Sequence, residues 1–161
     1  VTVKGSIGQS INPTAVPVVL RDPVDDSFAR DIMGRGDIAD VEAAANDTSL
    51  YLCINLDKDA SGQMVYDVAL HGIGMQRGRV HIAKYTVRLQ PPDRVKVLNV
   101  NGIESVEIPA DLHFKAHGRS LRLEVPRSLL GNARVVLLAV SSTFHGLTVD
   151  KTAYKVLRLS K

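Results

Sequence analysis

"HIAKYTVRL" (residues 81–89) alternates from Ala83 to Leu89. Ala83, Tyr85, Val87 and Leu89 fall on one register, and Lys84, Thr86 and Arg88 on the other. Successive side chains of a strand point to opposite faces, so the stretch predicts an antiparallel strand with one face in a core and one toward water. The same period recurs on either side of it. "LYLCINL" (50–56) and "ARVVLLAVSS" (133–142) are apolar on both registers and predict central strands. "SLRLEVP" (120–126) puts Leu121, Leu123 and Val125 on one face, and Pro126 ends it. "TAYKVLRL" (152–159) alternates again and closes the chain. Helical periodicity is almost absent; only "RSLLGN" (127–132) predicts a single helical turn, closed by Gly131.

Turn signals punctuate these runs. "DKDASG" (57–62), between "LYLCINL" and "QMVYDVALHG", predicts a hairpin. Asn101-Gly102 predicts a second hairpin with a type I′ turn. "NDT" (46–48) is formally a glycosylation acceptor but reads as a turn between strands. "INPTAVPVVLRDP" (11–23) predicts an extended connection held against a sheet edge by its prolines, and "HFKAH" (113–117) a loop. Eight or more short strands separated by turns predict an all-β fold, a two-sheet antiparallel β-sandwich of jelly-roll or immunoglobulin-like kind. At 161 residues the chain makes one such domain, 1–161. Val1 in place of Met suggests an accessory module of a longer or processed protein.

Charge divides unevenly. Residues 1–70 hold 5 Lys/Arg against 11 Asp/Glu, and residues 71–161 hold 15 against 6. The basic residues alternate along strands instead of clustering, which argues against nucleic acid as a partner. No run approaches the ~18–20 apolar residues of a transmembrane helix. Cys53 is the single cysteine and reads as a small buried core residue.

The acidic excess concentrates in "RDPVDDSFARDIMGRGDIADV" (21–41), which holds Asp22, Asp25, Asp26, Asp31, Asp37 and Asp40. Such crowding is tolerated where a cation neutralises it, and Ca²⁺ takes six to eight hard oxygens. Solvated loop carboxylates balanced by Arg21, Arg30 and Arg35 are the alternative. "DKDASG" opens like an EF-hand loop, but its twelfth position is Val68 where a bidentate Glu belongs. His113 and His117 lack the Glu of the zinc-protease motif, and no nucleophile elbow or phosphate loop is present. "RGD" (35–37) is too short to weigh against the other roles open to Asp37. The chain has no Trp; Phe144 and His145, in "SSTFHGLTVD" (141–150), are the candidates for an exposed ligand platform.

"DPVDDSF…GRGDIADVEAAANDTSLYLCINLD" resembles the family-9-type carbohydrate-binding modules and the related DOMON-like β-sandwich superfamily. Their pattern runs D-P-x-x-D, D-I or D-L, a strand, then N-D-x-x-x-L-Y-L/F. "LRLEVPRSLLG" is similar to that superfamily's late L-x-x-x-I/V-P-x-x-x-L-G segment. The resemblance spans about the middle two-thirds of the chain, in order. It implies a sandwich used as an accessory module in secreted or cell-surface proteins, whose members bind sugars, structural calcium or haem b. Asp22, Asp25 and Asp37 fall on its acidic positions, whereas its Trp clamp has no counterpart.

The expectation is a non-catalytic module of carbohydrate-binding type, secreted or at the cell surface, with structural calcium at Asp22, Asp25 and Asp37. Its partner would be a polysaccharide or surface glycan. The alternative is a structural or assembly module that contacts a parent or partner protein domain without binding sugar; a haem-binding module ranks third.

Overall fold

The computed structural model describes residues 18–21, 36–99, 107–131 and 133–159. These form two antiparallel sheets packed face to face, the sandwich expected from the alternation. The first sheet contains β1 (Val18–Arg21), β2 (Ile38–Ala45), β3 (Ser49–Leu56), β7 (His113–His117) and β8 (Ser120–Pro126), in the order β1-β2-β3-β8-β7. The second contains β4 (Met64–Gln76), β5 (Arg79–Gln90), β6 (Arg94–Leu98), β9 (Ala133–Phe144), β10 (Leu147–Lys151) and β11 (Lys155–Arg158). Its order is β10-β9-β4-β5-β6, and β11 also pairs with β9. A 3₁₀ turn at Arg127–Leu130 follows Pro126, and Gly131 ends it at φ 59°, a left-handed value that suits glycine.

The core lies between the sheets. Leu50, Leu52, Ile54, Leu121, Leu123 and Val125 of the first sheet face Met64, Tyr66, Val68, Leu70, Val87, Leu89, Val136 and Leu138 of the second, all essentially inaccessible. Each large aliphatic buried this way contributes about 1.5–3 kcal/mol. The two strands expected to be central are so: β3 lies between β2 and β8, and β9 between β4 and its partners β10 and β11. Cys53 is buried, on the outer register of β3. The Asn46 side chain makes the turn before β3, its Oδ1 accepting the N–H groups of Thr48 and Ser49 at 2.9 and 2.8 Å.

Two expectations fail. The "DKDASG" segment does not close a hairpin, because β3 and β4 belong to different sheets. β3 already has β2 and β8 as neighbours, and β4 has β9 and β5, so residues 57–63 cross from sheet to sheet. "HFKAH" is a strand, β7, pairing His113 with Glu124 and His117 with Ser120. The I′ turn expected at Asn101-Gly102 lies outside the described residues. A two-residue turn of that kind instead joins β4 to β5 at Arg77-Gly78, with φ of 50° and 74°.

Candidate functional site

Of the three expected calcium ligands, Asp22 and Asp25 lie outside the described residues. Asp37 sits at the mouth of β2 and is 2% exposed. The backbone around it is fastened on both sides. Gly36 O accepts the Ser142 hydroxyl at 2.6 Å, Ile38 N–H donates to Asp150 Oδ2 at 2.7 Å, and Asp37 O accepts Asp57 N–H at 3.1 Å. Ser142 belongs to β9 and Asp150 to β10, so this junction ties the first sheet to the second. Gly36 packs closely there: a Cβ would lie 2.5 Å from Met64 Cε and 3.1 Å from both Ser142 Oγ and Val149 Cγ1. Asp37 and Asp150 are thus two buried carboxylates at one junction, and Asp150 already accepts two backbone N–H groups. Among the described residues no three His, Cys, Asp or Glu side chains converge on a common point. A calcium cage built here needs ligands from outside them.

Phe144 and His145 do come together. Phe144 ends β9, and His145-Gly146 turns the chain into β10 with φ of 47° and 82°. The two rings meet edge to face with centroids 4.2 Å apart. Phe144 is half-buried against the core, so His145 is the exposed member of the pair, beside Leu147.

The outward faces of the two sheets differ in chemistry. The first is a hydrogen-bonded polar surface. Asn55 donates to Asp40 at 2.6 Å, Ser49 donates to Glu124 at 2.9 Å, and Cys53 Sγ lies 3.2 Å from Ser120 Oγ. The second is largely apolar. Its strand register aligns Ile82, Ile73, Val135 and Arg158 in one row, and Lys84, His71, Leu137 and Val156 in the next. Val80 and Met75 pair beyond the first row, and the Tyr154 ring lies 5.5 Å from that of His71. Val80 is 68% exposed; Ile82, Val156, Met75 and Tyr154 are each about half exposed. Sequence reasoning missed this face, although a signal was there. Val80 and Ile82 occupy the register of Lys84 and Arg88, the one that faces water.

Two titrating groups on this face are perturbed. Burial, and then the charge of Lys84, lower the His71 pKa below its ordinary value. Arg88 forks onto Asp67 with two 2.8 Å contacts, and that hydrogen bonding raises the guanidinium pKa further. In the interior, burial pushes the Tyr66 phenol up. Among the described residues no histidine hydrogen-bonds to a Ser, Thr or Cys side chain, and no helix is long and apolar enough to cross a membrane.

No protein-family model, no curated protein and no solved structure matches the chain.

Proposed function

We propose that this chain is a non-catalytic binding module that contacts a partner protein through the outer face of its six-stranded sheet. The carrying observation is the apolar surface across β5, β4, β9 and β11. Soluble proteins scatter exposed apolar residues singly, and a contiguous patch marks an interaction surface. Lys84 and Arg158 stand at the ends of its rows, and Asp67 is engaged by Arg88. The surface that fits is therefore apolar at its centre and acidic at its rim.

The test is a photo-crosslinking residue in place of Ile82 in the full-length protein in its native cells, with the same residue in place of Tyr51 on the opposite face as control. The reading predicts a defined protein adduct from position 82 alone, abolished by Val156→Asp. Adducts from both positions, or adducts indifferent to Val156→Asp, would reject it.

A second reading, a secreted or cell-surface module of carbohydrate-binding type, is supported by the Phe144–His145 ring pair at an exposed turn. The exposed His145 ring, braced edge to face by Phe144, can stack on one sugar, so this reading predicts weak binding to a glycan array that His145→Ala removes. An array that stays blank with calcium present counts against it.

A further inference from the structure

The tip of the β4–β5 hairpin adjoins the partner-docking surface through Met75, Val80 and Ile82, but its basic residues lie outside the rows of that surface. β9 begins opposite Gly74, and β6 covers only Thr86–Gln90 of β5, so the tip at Met75–His81 projects past both described neighbours. Cross-strand pairing puts Gln76 beside Arg79 and Gly74 beside His81 on one face, and Met75 beside Val80 on the other. An open hollow of about 580 Å³ is lined by Gln76, Arg77, Arg79, Val80 and His81. A smaller one of about 210 Å³ adjoins it through Gln76 and His81, and Gly74 and Gly131, which have no side chains, line that space.

Two guanidiniums, an imidazole and a carboxamide thus border one hollow. Among the described residues no carboxylate lines either space, and neither Arg77 nor Arg79 has an ion-pair partner. By contrast, the exposed Arg88 and Arg119 each face an aspartate. Arg77 also holds φ 50°, a position at which Asn or Gly is the usual, unstrained choice. Guanidinium forks match tetrahedral oxyanions two oxygens at a time, and a side-chain amide adds a neutral donor.

We infer that this hollow binds a phosphate-type dianion, with Arg77 and Arg79 supplying the charge and Gln76 and His81 completing the donor set. Free phosphate and a lipid phosphate headgroup share this chemistry, and Met75, Val80 and Ile82 stand exposed beside the hollow, where a lipid surface would meet them.

Amide NMR shifts would be followed while inorganic phosphate is added, against sodium chloride at matched ionic strength. In parallel, the protein would be sedimented with phosphatidylcholine vesicles with and without phosphatidic acid. Phosphate-specific shifts confined to residues 74–82 and weakened roughly tenfold or more by Arg79→Gln support the site with free phosphate as ligand. Sedimentation that requires phosphatidic acid, and is lost in both Arg79→Gln and Val80→Ser, supports the headgroup source. Shifts equal to those with chloride and no vesicle binding, or binding unaffected by Arg77→Gln and Arg79→Gln, overturn the proposal. All three positions are exposed at a turn, and an unchanged melting midpoint verifies that each variant is folded.

Discussion

The Asp150 carboxylate accepts the backbone N–H of Ile38 at 2.7 Å across 112 positions of sequence, and the N–H of Lys151, also at 2.7 Å, with its other oxygen. One side chain thereby satisfies a buried donor in the first sheet and a part-buried one in the second. Replacing it with Ala strands the buried Ile38 donor and removes the Lys151 contact. Asp150→Ala should cost about 2–3 kcal/mol, the penalty of buried unmet hydrogen bonds, in urea unfolding. Asp150→Asn, which keeps one carbonyl oxygen, should cost visibly less. Equal losses would show that the carboxylate acts by charge and not as a twin acceptor.

Gly36 and Met64 should prove energetically coupled. A Cβ at position 36 meets Met64 Cε first, then Ser142 Oγ and Val149 Cγ1. Gly36→Ala should destabilise by about 1–3 kcal/mol through overpacking. In a double-mutant cycle, Gly36→Ala with Met64→Ala should cost less than the sum of the single changes. Strict additivity would place the clash elsewhere.

His71 gives the molecule a pH dependence whose sign is fixed. Its folded pKa lies below the unfolded value of about 6.5, so the unfolded chain binds the proton more readily. Its contribution is full above that value and is lost as pH falls from there through the lower folded pKa. The thermal midpoint should therefore drop between pH 7.5 and 5.5 by a small amount, because the ring is only partly buried, and His71→Gln should flatten that part of the profile. A steeper loss in the variant would mean that the sign is wrong.

Calcium can be tested independently of glycans. If Asp37 joins Asp22 and Asp25 around Ca²⁺, excess chelator should lower the melting midpoint and calcium restore it, since a ligand of the native state stabilises by mass action. Asp22→Ala should abolish the difference while leaving the calcium-free midpoint unchanged. A midpoint indifferent to calcium would leave these carboxylates as solvated or structural groups only.

Much of the fold was legible locally. Val87 and Leu89 point inward, Leu121, Leu123 and Val125 share the buried face, β3 and β9 are central, and Gly131 ends the helical turn. Less of the site was. Adjacency pairs Phe144 with His145, but nothing local shows that Phe144 commits part of its ring to the core. The outer apolar face escapes a strand-by-strand reading because Val80, Ile82, Ile73, Leu137 and Val156 come from four strands, and each looks ordinary within its own.

What the sequence determined by itself is therefore whatever has a period of two or a single-residue cause: strand identity, inward register, and turns that need glycine or asparagine. Those depend on neighbours within a few positions. Tertiary structure alone decided that β3 and β4 part into different sheets, that Asp37 is sealed beside Asp150, and that one outer face is polar and the other apolar. The physical reason is range. A strand's two edges accept whichever partners bury its apolar face best, and here β3 takes β8 and β4 takes β9, each tens of residues away.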